Sequence, residues 1–545
     1  MDNQLQLLLV MIVYLVLLIL WGLYQGRKVK TGEDYSIAGR QLPGWAAALS
    51  ERATGESSWA LLGLPGAAYA LGVTEVWTAI GCVSGIISAW IFLAWRLRDE
   101  AEKYQVNTFT DYLAKRHEEV AKTIRIIGSF IIIFFFFFYV GAQFMGGGKT
   151  LHALFGLNAR TGMIITALII IPYTIYGGFL SVVYTDVVQA IIMIITLIAT
   201  PIVGFIYLSN HPDLFAQNIP DALSKAGESY SSFTGSAKGF AAGVIIAGSF
   251  SWFFGYLGGM PQLTTRFMAI KNRKQAIMAR NIGVAWTIIA YIGALCIGWI
   301  GIAIFGPGTL EDREYVMPSV VLKLFPPAIA SLMMTGAIAA MISTADSILI
   351  LSSTEMTENM VRVRQKRKLA MSRLFTALIA IVALLLAYYS YAPPKLTDES
   401  YQILRNNKVP EQVIITLQNT HDGFTTREEY TEILKNVLSK EDYKEYKETI
   451  LKSMKEGGTL IFTMVGYVWA GIGGPFSIII LLTLFWRRFH GRATVITLIS
   501  GLLFTIIWIS SGMDKEISVR IMTFIFSLLV AVLSTFLIKK KQAVI

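Results

Sequence analysis

Cysteine is nearly missing from this chain: 545 residues carry two, Cys82 and Cys296, each inside an apolar run. Such a pair indicates neither a disulfide framework nor a thiolate metal centre. Charge is scarce as well, at 15% of residues, while 54% are hydrophobic and the mean hydropathy is +0.57. Apolar runs of that length exclude a water-soluble domain and leave a polytopic membrane protein. No nucleophile and base pair and no metal cluster stands out, so an enzyme is not expected. No pore loop or charged ring suggests a channel. The net charge of +11 would point to nucleic acid in a soluble protein. Here the Lys and Arg residues gather in short loops between apolar runs, as membrane topology demands, and no nucleic-acid partner is expected.

What is present is a series of apolar runs long enough to cross a bilayer: about 5 to 25, 44 to 72, 75 to 96, 121 to 146, 160 to 176, 179 to 208, 239 to 259, 280 to 305, 327 to 354, 370 to 392, 459 to 486, 493 to 511 and 518 to 538. The expected fold is an all-α polytopic membrane protein with about 13 transmembrane helices. The first run follows Asp2 and ends without a small-residue cleavage site, so it is expected to stay as a helix. Arg27, Lys28 and Lys30; Arg96, Arg98, Lys115 and Arg116; Arg266, Lys271, Arg273 and Lys274; Arg362 to Lys368; Arg487, Arg488 and Arg492; and Lys539 to Lys541 fall on one side, expected to be cytoplasmic. The intervening connections, such as 73 to 76, Glu311 to Glu314 and Asp514 to Glu516, carry few or balanced charges. The N-terminus is therefore expected outside and the C-terminus inside. Residues 393 to 458 interrupt the pattern with EEYTEILKNVLSKEDYKEYKETILKSMKE, where Ile433, Leu434, Leu438 and Ile450 form a narrow apolar face. A small helical outer domain is expected there.

Polar islands inside the apolar runs carry the chemistry. In LPGWAAALSERATGESSWALLGLPGAAYAL, residues 42 to 71, two apolar arms flank Ser50, Glu51, Arg52, Thr54, Glu56, Ser57 and Ser58. Unwound backbone with charged neighbours is tolerated at membrane depth only where it lines a cavity or an ion, so one span broken near Ala53 to Ser58 is the expected reading. In AIASLMMTGAIAAMISTADSILILSS, Ala340 and Thr344 share a helix face beside Ser343, offering oxygens to a small hard cation. The plainer alternative is hydroxyls bonded back to their own helix. Asp346 in that span and Asp186 in YGGFLSVVYTDVVQA are carboxylates within the membrane, which cost several kcal/mol unless paired, protonated or hydrated. In GSFSWFFGYLGGMP, Trp252 and Tyr256 stand on one face before a break at Gly258, Gly259 and Pro261, a wall for a small solute or ordinary core packing. GGGKT at Gly146 to Thr150 is not a phosphate-binding loop, because position 143 is Gln and an apolar helix precedes it.

Together these residues resemble the sodium/solute symporter family, most closely its sodium/proline symporter branch. The resemblance rests on DYSIAGRQLPGW, SSWALLGLPGAAYALG, YGGFLSVVYTDVVQA, the Trp252 and Tyr256 segment ending in RFMA, and AAMISTADS, at nearly constant spacing over most of the chain. It implies a LeuT-type fold of two inverted five-helix repeats, 44–208 and 239–487, the latter carrying the insert 393–458. Around them lie 1–43 as an N-terminal helix and cytoplasmic loop, 209–238 as an outer loop, and 488–545 as two C-terminal helices with a basic tail. The resemblance also implies Na⁺ as coupling ion, on Ala53 and Glu56 of the first core helix and Ala340, Ser343 and Thr344 of the eighth. Ser57, Trp59, Tyr139, Trp252, Tyr256 and Pro261 would line or shape the substrate pocket, and Arg40 and Asp186, with Asp346, would act in coupling. One extra glycine precedes Met260 and Pro261 in that alignment.

Two departures stand out: Gly55 and Glu56 replace the branch's Asp and Met, and the outer insert exceeds the branch's length. The expected activity is Na⁺-coupled symport of a small amino acid, L-proline, across the plasma (inner) membrane by alternating access, with no obligate protein partner. The alternatives are another small solute such as a different amino acid, pantothenate or a monocarboxylate; H⁺ coupling through Glu56; and a transporter-like sensor. No signalling module follows Lys541, which argues against the sensor.

Overall fold

The computed structural model describes residues 3–310, 312–361, 363–391, 396, 398–419, 427–454 and 461–538. Among them are 11 helical runs long and apolar enough to cross a membrane, two of which are too long to be one span: Gly44–Tyr104 with 61 residues and Ala159–Asn210 with 52. Each is interrupted near its middle. The first turns at Gly72 (φ 65°) between Leu71 and Val76. The second turns at Gly178 (φ 62°, ψ −173°), a conformation closed to most side chains. Reading each as two spans gives the thirteen that the hydropathy pattern predicts.

The Pro327–Glu355 helix lies at the centre. Within Pro327–Met360, 83% of the most apolar window is buried, against 28% for Leu5–Gly26 and 22% for Phe240–Ala269. Its small residues, including Ala330, Gly336, Ala337, Ala340 and Ala345, let neighbouring backbones approach closely. Against it pack Gly44–Ser58, Ala121–Phe155 and Ala159–Asn210. The basic loops meet at one end of the bundle. Leu42 and Ile270 form a short parallel bridge, Arg98 donates to the carbonyls of Ile270 (3.3 Å) and Lys271 (2.7 Å), and Arg116 donates to Thr483 O at 3.2 Å. At the other end Trp299 Nε1 donates to Gly72 O (3.0 Å) and Trp77 Nε1 to Phe233 O (2.9 Å).

One cation departs from the loop pattern. Arg266 does not lie in a loop; it is fully buried in the Pro261–Ala269 helix and paired with Asp186. Arg362, Glu311 and Lys539 to Lys541 lie outside the described residues. The insert carries the helices Asp398–Asn406, Glu411–Gln418, Arg427–Val437 and Lys440–Ser453 around its own small core, which includes Leu404, Ile414, Leu434 and Ile450; its ends at 393–394 and 457–458 are not described. GGGKT is part of the Ala121–Phe155 helix, and Lys149 there pairs with Asp312 and Glu314, each at 2.5 Å.

Candidate functional site

The Gly44–Ser58 helix loses its regular geometry at Ser57 (φ 49°, ψ −165°), inside the window that the polar island marks, and resumes as a π-helical turn over Trp59–Gly63. Such an angle at a residue with a side chain is strained and persists only where surroundings hold it. Here they do: Ser58 N donates to Gln143 Oε1 (3.1 Å), Trp59 N to Ser57 Oγ (3.3 Å) and Tyr139 OH to Ser57 Oγ (3.3 Å). Around the break, three successive carbonyls accept side-chain donors. Ala53 O takes Ser343 Oγ at 3.2 Å, Thr54 O takes Thr344 Oγ1 at 3.1 Å, and Gly55 O takes Trp59 Nε1 at 3.2 Å.

Ser343 Oγ is also 3.0 Å from Ala340 O, so Ala53, Thr54, Ala340, Ser343 and Thr344 bring hard neutral oxygens together between two helices. Thr54 links this group to a buried carboxylate. Its Oγ1 lies 3.0 Å from Ser347 Oγ and 3.4 Å from Asp186 Oδ2. Asp186 Oδ2 further accepts from Ser50 Oγ (2.6 Å) and Arg266 Nη2 (3.2 Å), while Oδ1 has no partner. Asp346 accepts from Tyr173 OH at 2.6 Å and likewise keeps one oxygen unpaired. Thr54, Ser50, Ser347 and Arg266 were not singled out for this group by sequence; hydroxyls within polar islands are the signal that marks three of them.

Glu56 turns away from these oxygens. Its Oε1 pairs with Arg52 Nη1 at 3.0 Å, and Oε2 has no ion-pair partner. Arg40 is separate again: it donates to Gln105 Oε1 (3.0 Å), Val106 O (2.5 Å) and Asn107 Oδ1 (3.2 Å) at the basic-loop end. Partial burial lowers its guanidinium pKa, against the pull of Glu33 and Glu102.

The second broken helix faces the first. Phe240–Phe250 and Trp252–Tyr256 give way at Leu257 to Met260, with Gly258 at φ 84°, before Pro261 starts the next helix. Pro at a first helical position costs no hydrogen bond, so Pro261 shapes the break. Those residues form a box. Trp59 stacks on Trp252 (centroids 4.4 Å, planes 6° apart), Tyr256 OH meets Tyr291 OH at 3.1 Å, and Tyr139 and Tyr256 both pack on Trp469 at 5.6 and 5.4 Å. Gly255 permits the last contact, since a Cβ there would fall 2.2 Å from Trp469 Cδ1. Ser57, Trp59, Tyr139, Trp252 and Tyr256 are thus brought together, and Tyr291, Trp469, Phe462 and Gln143 join them without having been picked out from sequence.

The Nε1 atoms of Trp252 and Trp469 are buried without an acceptor. Buried donors of that kind are costly to leave unpaired, so the box offers two N–H groups to an oxygen-bearing solute. Above it, at the end opposite the basic loops, lies a cavity of about 420 Å³ lined by Glu75, Thr78, Phe462 and Arg520 among others. Phe462 faces both spaces, stacking edge-on against Trp252 at 5.4 Å, and the Arg520 guanidinium sits 4.5 Å over the Trp252 ring. On the other side a cavity of about 10 Å³ lies among Asn107, Thr108, Arg266 and Ser347.

Comparison with known proteins adds three findings. The profile of the sodium:solute symporter family matches residues 35–400. The chain is similar to the osmoregulated proline transporter OpuE of Bacillus subtilis (28% identity, covering 97% of this chain and 94% of that one) and to the high-affinity proline transporter PutP of the same organism (29%, 94% of each). It is also similar to the sodium/proline symporter of Staphylococcus aureus (28%, 93% of this chain and 87% of that one). Among solved structures, a Na⁺-coupled sialic acid symporter in a substrate-bound outward-open state shares the fold with TM-score 0.72 at 16% identity, covering 99% of both chains. Mhp1, a nucleobase-cation-symport-1 family transporter, follows at TM-score 0.50 and 13% identity, covering 92% of both.

Proposed function

The chain belongs to the sodium:solute symporter family, with the LeuT-type arrangement of five plus five core helices, and from that premise we propose that the solute it carries with Na⁺ is L-proline. It is a multi-pass membrane transporter, not an enzyme. Similarity to proline transporters over nearly the whole length supports the choice of substrate. Repeats spanning 44–208 and 239–487 are part of the same reading, as are an outside N-terminus and a cytoplasmic C-terminus, the orientation being supported by the meeting of the basic loops at one end of the bundle.

The observation that carries the reading is the convergence of the Ser343 and Thr344 hydroxyls on the Ala53 and Thr54 carbonyls beside the break at Ser57. Na⁺ docks among these oxygens, the hydroxyls turning their lone pairs to it, and joins the first core helix to the eighth. Asp186, one hydroxyl away through Thr54 and itself paired with Arg266, holds that hydroxyl beside the ion. The solute then enters beside it, its carboxylate taking the indole N–H groups of Trp252 and Trp469 and its ring packing on the aromatic faces. Only the form with both cargoes closes and reopens on the other side. One Na⁺ moving down 100 mV contributes about 2.3 kcal/mol, enough for roughly 50-fold accumulation.

Equilibrium binding of labelled proline to the purified protein tests this. Binding in Na⁺ and not in K⁺, displaced by unlabelled proline but not by pantothenate or lactate, is the expected result. Displacement by pantothenate or lactate at lower concentration than proline would reassign the substrate.

A further inference from the structure

Three charged groups of the first core helix are shut away together and do not balance. Arg52 holds Glu51 through Nη2 and through Nε at 2.5 Å, and holds Glu56 through Nη1 at 3.0 Å. Side-chain exposure is 0% for Arg52 and Glu56 and 2% for Glu51. Two carboxylates against one guanidinium leave one negative charge in a dry interior, which is costly unless a cation joins it, a proton neutralises it or water reaches it. Trp90 Nε1 donates to Glu51 Oε2 (3.3 Å) and Arg52 Nη1 reaches Thr287 Oγ1 (3.1 Å), so those two residues are fully engaged. The surplus sits on Glu56, whose buried Oε2 has only the Tyr291 hydroxyl near it and no ion-pair partner.

The surroundings of that oxygen select among cations. A hard ion wants several carbonyl, hydroxyl or carboxylate oxygens around it, and those gather instead at Ala53, Thr54, Ser343 and Thr344. Glu56 faces Tyr291, whose hydroxyl meets that of Tyr256, and Tyr291 packs on Trp59 at 5.9 Å. A carboxylate beside aromatic faces suits an organic ammonium.

We propose that Glu56 takes the cationic nitrogen of the substrate, so that this carrier selects zwitterionic amino or imino acids and rejects monocarboxylates of the same shape. The inference rests on the reading of the aromatic box as the substrate chamber. Arg52 and Glu51 hold the Glu56 side chain in place, and the Trp252 and Trp469 indoles take the other end of the zwitterion.

The test is uptake into proteoliposomes of the full chain, with proline and cyclopentanecarboxylate, which has the same ring size without the nitrogen. In the wild type, proline is expected to outcompete cyclopentanecarboxylate by about 100-fold or more, because a site built to bond a polar group rejects an analogue lacking it. Glu56→Gln is expected to raise KM for proline about 10-fold and collapse that ratio, with the Na⁺ concentration for half-maximal uptake unchanged. Glu56→Asp retains the ratio and controls for misfolding. An unchanged ratio in Glu56→Gln overturns the inference. So does a shifted Na⁺ requirement, which would make Glu56 an ion ligand, or a lost pH dependence with the ratio intact, which would make it a proton carrier. If the wild type accumulates no proline, the substrate assignment fails by itself. The present inference is then read from labelled alanine against labelled propionate, and a preference for propionate overturns it.

Discussion

Replacing Ser343 by Ala removes one oxygen from the group between the two helices and disturbs little else. The side chain is fully buried, its hydroxyl lies 3.2 Å from Ala53 O and 3.0 Å from Ala340 O, and Ala is close to Ser in volume. As an ordinary hydrogen bond between neutral groups the hydroxyl is worth about 1 kcal/mol to folding. As a ligand of a cation it is worth more, about 1.5–3 kcal/mol, which corresponds to a Na⁺ requirement raised roughly 10- to 150-fold. These two roles separate cleanly in one assay: initial rates of labelled proline uptake into proteoliposomes, titrated with external Na⁺ at constant ionic strength. The expected outcome is a curve shifted to higher Na⁺ with the maximal rate largely recovered at saturation. A serine that merely bonds back to its own helix at Ala340 predicts a lower thermal midpoint and the same Na⁺ curve. A half-saturating Na⁺ concentration within about twofold of wild type, in a folded variant, refutes the reasoning.

Lys149→Met leaves Asp312 and Glu314 facing each other without their shared cation, a loss of about 3–5 kcal/mol for a buried pair, and the thermal midpoint in detergent is expected to fall by several degrees, with Lys149→Arg recovering part of it. Arg520→Gln removes the guanidinium from the Trp252 ring and is expected to raise KM for proline about fivefold at unchanged Na⁺ requirement, the cation and ring contact being worth about 1 kcal/mol; an unaltered KM would show that Trp252 needs no brace.

The sequence made the spans and the breaks readable because each leaves a one-dimensional trace. A charged island in an apolar run and Gly258 with Gly259 before Pro261 both mark places where a helix cannot continue. Partners across the bundle leave no such trace. Trp469 and Phe462 lie in an apolar run where an aromatic residue reads as core or lipid contact, and only the close approach at Gly255 brings Trp469 to the box. Arg266 reads as one more cation near a basic loop, yet the break at 257–260 starts a new helix that carries it inward to Asp186. Arg520 stands two residues into the last helix, where a cation at a membrane boundary is ordinary, and its inward stacking on Trp252 depends on how that helix crosses the Ile461–Val468 helix at Gly466. The carboxylate of Glu56 belongs to the expected ion group by position along the chain; within the helix, Arg52 one turn earlier draws it to another side.

Gradient-driven accumulation by the purified wild-type protein tests the central claim most directly. In sealed proteoliposomes with Na⁺ outside, K⁺ inside and a valinomycin-set potential, labelled proline is expected to rise above its equilibrium level and to fall back when the Na⁺ gradient is dissipated. Accumulation driven by an inward H⁺ gradient with no Na⁺ present would contradict the account.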